Sequence, residues 1–129
     1  MRIGELAAAA GTTTKTLRFY EESGLLPPTD RAANGYRDYG PEALSRLDFI
    51  HRGRVAGLTL AQIREVIDIR ETGDAPCHHV HQLLTERLAD IDRQIADLQA
   101  LRATLSRQRE QTETADPSTC AAETVCRYL

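Results

Sequence analysis

The sequence has no tryptophan and only two phenylalanines among 129 residues, and its apolar fraction is 41%. A chain so poor in large aromatics can bury a small core but not a large one. That suits one compact domain with an appended element. A Gly-rich phosphate loop is missing, and no acid stands at a recognisable spacing to orient a Cys–His pair, so an enzyme is not expected. No apolar run is long enough to cross a bilayer, and no membrane partner is expected. Met1-Arg2-Ile3 leads into only a short Ala run with Glu5 inside it, which is not a signal-peptide pattern. A cytoplasmic location is expected, where three cysteines stay as thiols. A strong basic charge is also missing, since the net charge is −3. Its distribution is uneven. Residues 1–70 hold ten Lys/Arg against nine Asp/Glu, and residues 71–129 hold six against ten. Modest phosphate affinity in the first part, doubled by dimerisation, is compatible with that balance.

What is present begins with Ile3-Gly4-Glu5-Leu6-Ala7-Ala8-Ala9-Ala10, a short apolar helix candidate closed by Gly11. Thr12-Thr13-Thr14-Lys15-Thr16-Leu17-Arg18-Phe19-Tyr20 comes next as the start of a second helix, with threonine hydroxyls as N-caps. Helix, Gly turn, helix is the helix-turn-helix pattern. Leu17 faces inward toward Leu6, while Lys15 and Arg18 share an outer face suited to base edges and phosphates. An ordinary amphipathic helix pair gives the same local pattern, and the residues after Leu26 decide against it. Pro27-Pro28 stop the second helix. Asn34-Gly35 is a strong hairpin signal, predicting a short two-stranded wing with Arg31 on one arm and Tyr36, Arg37 and Tyr39 on the other. A solvated loop with two arginines is the alternative.

Gly40-Pro41 opens a third helix, with Leu44, Leu47, Ile50 and Val55 at helical spacing and Gly57 at its end. Thr59-Leu60-Ala61-Gln62 reads as a capping box flanked by Leu58 and Ile63, opening a fourth helix with Leu60, Ile63 and Ile67 on one face. Arg52 and Arg54 sit late in the third helix, as phosphate contacts or as a solvated face. From Cys77 to about Thr112 there is neither Pro nor Gly, and Leu84, Leu88, Ile91, Ile95, Leu98 and Leu105 form a heptad stripe. Four short helices cannot cover such a stripe. A second copy of the same helix is the simplest cover. The predicted organisation is mostly α: a winged helix-turn-helix over 1–75, a long dimerisation helix over 76–114, and a loop and tail over 115–129.

Lys15-Thr16-Leu17-Arg18-Phe19-Tyr20-Glu21-Glu22-Ser23-Gly24-Leu25-Leu26, followed by Asn34-Gly35-Tyr36-Arg37-Asp38-Tyr39, resembles the MerR family of bacterial transcription regulators. With the long helix and terminal cysteines, it resembles the heavy-metal-responsive branch. The resemblance implies that the helix led by Thr13, Lys15 and Arg18 enters a major groove of double-stranded promoter DNA. Tyr20, Arg31, Tyr36 and Arg37 would hold the backbone. It further implies an antiparallel coiled coil between the long helices of a homodimer. That dimer represses without metal and distorts an overlong promoter spacer for RNA polymerase when metal binds.

The cysteines are Cys77, Cys120 and Cys126. Five residues separate the last two, which lets both reach one ion if the tail curls, though spacing alone is a weak metal signal. By the family resemblance, a cysteine heading the long helix and two in the terminal loop form the effector site, with Cys77 contributed by the other subunit. A cysteine at that head position resembles sensors of divalent ions, whereas copper(I) sensors carry serine there. The gap between the tail cysteines is shorter than in several family members. Thiolates favour soft ions, and His78 and His81 are further candidate ligands; nitrogen donors put zinc first, with mercury, cadmium or lead as alternatives. Incidental thiols, a tail disulfide and solvating histidines stand against these readings. A zinc-bridged architectural DNA binder, or a regulator of another signal, stands against the metal sensor.

Overall fold

The computed structural model describes residues 1–29 and 33–129. Among the described residues there are five α-helices and no strand: α1 (Ile3–Ala10), α2 (Thr14–Glu22), α3 (Pro41–Val55), α4 (Leu60–Glu71) and α5 (Cys77–Glu113). A 3₁₀ turn, Pro117–Thr119, comes after α5. The chain divides into two compact units, Met1–Arg87 and Leu88–Leu129.

In the first unit, α1 packs on α2 and α3, and α3 packs on α4. The turn between α1 and α2 depends on Gly11, which sits at φ +68°. There Thr12 N–H reaches the Ala7 carbonyl at 2.9 Å, closing the helix end in a Schellman arrangement that a Cβ would strain. Thr13 then caps α2, its hydroxyl accepting from Thr16 N–H at 3.2 Å. Leu6 and Leu17 are both 0% exposed and meet in the core, as their spacing predicts. The prolines do not end α2. Gly24, at φ +76°, ends it first, and Leu25 N–H returns to the Tyr20 carbonyl at 2.9 Å. That reversal drives Leu25 and Leu26 into the core.

The capping box at Thr59 is complete: its hydroxyl accepts from Gln62 N–H at 3.1 Å, and the Gln62 side chain accepts from Thr59 N–H at 2.9 Å. Leu58 and Ile63 are both buried beside it. In α3 the buried set is Ala43, Leu47, Ile50 and Gly53. Val55, expected on the apolar face, is 74% exposed. Its place is taken by Gly53, where a Cβ would lie 2.8 Å from Ile63 Cγ1, so the missing side chain lets α3 and α4 approach closely. The head of α5 belongs to this unit: Leu83 is buried in the core and Arg87 Nε donates to the Ala56 carbonyl at 3.0 Å.

Of the expected two-stranded wing, the arm at Arg31 lies outside the described residues, and the turn and the Arg37 arm are described. Ala33-Asn34 make a turn, Arg37 forms an isolated bridge, and Asn34 Oδ1 accepts from Tyr36 N–H at 3.1 Å. The short side-chain loop at Asn34 closes the turn locally. No helix of the described residues is long and apolar enough to cross a membrane.

Candidate nucleic-acid interface and thiol sites

Lys15 and Arg18 are exposed on the face of α2 opposite Leu17. Burying Leu17 fixes the helix rotation, and the three-residue spacing places the two cations together outside. A groove of about 820 Å³ runs between the start of α1, the outer face of α2 and the turn. It gathers Arg2, Arg18, Tyr36 and Arg37 with Glu21 and Glu22. Tyr36 is 59% exposed, and the Arg2 guanidinium lies 4.5 Å from its ring centroid. A cation over an aromatic face holds both side chains at the rim of the groove. Three residues singled out in the sequence thus converge, although Arg18 is 18 positions from Tyr36.

Tyr20 stands apart from that groove. It is half-buried against the core and lines a smaller cavity of about 240 Å³ with Thr12, His51 and Arg54. Thr13 remains exposed at the helix start, its hydroxyl serving the cap. Arg37 is not an unattached cation: one of its nitrogens donates to Glu21, which also accepts from the Tyr39 hydroxyl. Sequence reasoning missed Arg2 and Glu21. Arg2 precedes any periodic pattern, and Glu21 reads as one more solvated acid until the chain returns at Arg37.

Several other arginines of the first unit are engaged in holding the fold. Arg46 donates to the Leu25 carbonyl at 3.3 Å and to Glu71 at 2.9 Å. Arg64 donates to the Ser23 carbonyl at 3.2 Å, and Arg52 pairs with Asp48 at 3.1 Å. Arg64 and Arg87 therefore place positive charge on the carbonyl ends of α2 and α3, where the helix dipole favours it. Among the described residues, Arg2, Lys15 and Arg18 are cations at the start of α1 and on the outer face of α2 that no carboxylate pairs.

Cys77, Cys120 and Cys126 are exposed free thiols. Cys77 is the first residue of α5, and Cys120 comes directly after the 3₁₀ turn. His78 and His81 are exposed beside Cys77, whereas His79 lies 3.2 Å from Glu65 of α4. Among the described residues of one chain, no three His, Cys, Asp or Glu side chains gather into a metal-sized group.

Residues 1–68 match the model of MerR HTH family regulatory proteins, and residues 44–108 match the MerR DNA-binding model. This chain belongs to the MerR family. It is 33% identical to the HTH-type transcriptional regulator ZntR homolog of Haemophilus influenzae, over 90% of this chain and 86% of that one. It is 35% identical to the mercuric resistance operon regulatory protein of Bacillus cereus, over 84% of this chain and 83% of that protein. Its structure superposes with a TM-score of 0.77 on the transcription regulator PbrR691 of Ralstonia metallidurans in complex with lead(II). The two are 34% identical, with 93% of this chain and 94% of that chain covered. The family is one of regulatory proteins, and no enzyme family is indicated.

Proposed function

We propose that this MerR-family protein is a metal-responsive transcriptional regulator, binding promoter DNA as a homodimer and activating transcription when a soft divalent ion binds. The observation that carries the DNA half is the groove in which Arg2, Arg18 and Tyr36 stand together beside a capped, outward-facing α2. Phosphates supply affinity through the cations, and the exposed start of α2 supplies side chains short enough to read base edges. The dimer half is supported by α5, whose Leu88, Ile95, Leu98 and Leu105 are 48–65% exposed along one stripe. A second copy of that stripe covers it, and the antiparallel pairing is taken from the family resemblance. RNA polymerase at the promoter is the partner that reads the outcome.

For the metal half, the donor chemistry is the test. Three exposed thiols with exposed imidazoles suit zinc, mercury, cadmium or lead. Among the described residues of one chain no three donors gather, and a site shared between two copies is taken from the family resemblance. Cys77 would hold the ion with Cys120 and Cys126 of the partner subunit, and His78 and His81 stand near enough in sequence to Cys77 to join it. Zinc is the first choice because imidazoles are among the candidate donors. The ion, when bound, supplies the free energy that favours one promoter shape over another, provided it binds that shape more tightly.

The test is zinc titration of mixed dimers, followed by thiolate absorption and by transcription from the bound promoter. Any single Cys→Ser change is expected to lower metal affinity roughly a hundredfold, one ligand's share of a structural zinc site. Metal-free DNA binding should survive. A dimer pairing Cys77→Ser with a Cys120→Ser, Cys126→Ser subunit should keep one intact site. A mixed dimer with no bound metal rejects the shared site. Metal binding that leaves transcription unchanged marks a zinc-bridged architectural binder instead.

A further inference from the structure

Glu21 lies on α2, three residues beyond Arg18, in the groove assigned to a polyanion. Its side chain is only 8% exposed. Arg37 Nη1 donates to one carboxylate oxygen and the Tyr39 hydroxyl to the other. Tyr39 is itself buried, and its backbone is clamped to the segment before α1: its N–H donates to the Met1 carbonyl at 2.7 Å, and Met1 N donates back to its carbonyl at 2.8 Å. A carboxylate in this position is unfavourable on two counts. It loses hydration on burial, and it repels an approaching phosphate. Its pairing with Arg37 removes the first penalty, but it also neutralises a cation that would otherwise face the DNA. On phosphate affinity alone, Glu21 is a poor residue to have here.

What Glu21 does contribute is a fixed link. It joins the last turn of α2 to two residues that come after the turn, 16 and 18 positions away. The backbone bonds of Tyr39 tie this segment to Met1, and the Glu21 bonds tie it to α2. We propose that Glu21 is a positioning residue for DNA reading: by holding Arg37 and Tyr39 against α2 it sets the distance between Arg18 on the helix and Tyr36 on the turn. Arg37 then serves as a strut first and a phosphate contact second. This rests on the DNA-binding reading above and deepens it.

Simple electrostatics and positioning predict opposite signs, which makes the test decisive. The probes are a duplex selected by the full-length protein from a randomised library and a scrambled duplex of equal length. Electrostatics alone has Glu21→Ala binding both more tightly. Positioning has Glu21→Ala losing roughly tenfold on the selected duplex, on the scale of one good base contact, with the scrambled duplex bound equally or more tightly. Glu21→Gln keeps an acceptor oxygen and should recover part of the ratio. Tyr39→Phe keeps the buried ring and should lose a smaller part, and these two variants carry the test if Glu21→Ala does not fold. Combining Glu21→Ala with Arg37→Ala should cost no more than the larger single change, since both act through one link. A selected-to-scrambled ratio unchanged in Glu21→Ala, or in Tyr39→Phe where the former is unfolded, overturns the proposal. A parent protein that selects no duplex at all rejects the DNA-binding reading itself, and this proposal with it.

Discussion

In the unit Met1–Arg87, the large apolar side chains meet one another: Leu6, Leu17, Leu25, Leu26, Ile50 and Ile63 are essentially inaccessible. In the unit Leu88–Leu129, the same residue types stand in the open, Leu88, Ile95, Leu98, Leu101 and Leu105 all about half exposed or more. The bonds differ in the same way. Arg64 reaches Ser23 and Arg87 reaches Ala56 across 41 and 31 residues, while in the second unit the side-chain bonds among the described residues span at most eight. One region therefore carries its own core. The other is a helix whose apolar side chains stand uncovered among the described residues, and isolated helices gain little stability from propensity alone.

The strongest way to break this comparison is to put a charge in the stripe. Leu98→Asp alters a side chain that is 65% exposed in the single chain, so any large effect must come from self-association. An unpaired carboxylate buried at a helix–helix interface costs heavily. The expected result is loss of the dimer at micromolar concentration by light scattering. Helicity should fall, while the cooperative unfolding of the first unit is retained. A clean dimer would show that the stripe is not the interface.

The complementary change is in the first unit. A Cβ at Gly53 would sit 2.8 and 2.9 Å from Cγ1 and Cδ1 of Ile63. Overpacking of this kind costs about 1–3 kcal/mol, partly offset by about 1 kcal/mol from the better helix propensity of Ala. Gly53→Ala is therefore expected to destabilise the first unit by up to about 2 kcal/mol in denaturant unfolding, with the dimer constant unchanged. Adding Ile63→Val removes Cδ1 and should recover part of the loss. A shift in dimerisation without a shift in unfolding would mean that the two regions do not divide as described.

The same division explains what the sequence made legible. The α1–α2 turn, the Thr13 cap, the Thr59–Gln62 box and the span of α5 were all readable because each is written within a few residues: a glycine at a helix end, a hydroxyl three before its N–H, a heptad stripe. The end of α2 was misplaced by a few residues because Gly24 closes the helix before the prolines arrive. Val55 was placed inside because its spacing fits, but Gly53 brings α4 in on a neighbouring face. Asn34-Gly35 signalled the turn, and the arm expected at Arg31 lies outside the described residues. Least legible were Arg2, Glu21, Arg46, Arg64 and Arg87, whose partners lie far along the chain. They also explain why counting arginines overstates the cations available to DNA. For the thiols, residue type pointed to soft-metal chemistry, but among the described residues of one chain no three donors gather.

The smallest effect belongs to the tail, where structure is local throughout. Asp116 accepts from Ser118 Oγ at 2.8 Å and from Ser118 N–H at 3.0 Å, capping the turn that leads to Cys120. The Ser118 hydroxyl, and after it the backbone N–H, holds the Asp116 carboxyl below the usual carboxylate range. A lowered value means that the folded turn favours the ionised form. Its contribution is therefore present at neutral pH and is lost as the pH falls through the acidic range. Ser118→Ala removes the larger of the two causes and leaves the backbone donor. The Asp116 titration, followed by carboxyl NMR, should move part of the way back up toward the ordinary carboxylate value. Unfolding of the first unit should not change, because no bond at Asp116 leaves the tail. An Asp116 midpoint that stays low in Ser118→Ala would assign the shift to the backbone N–H alone. A change in the first unit's stability would show that the tail is not the local structure its short-range bonds imply.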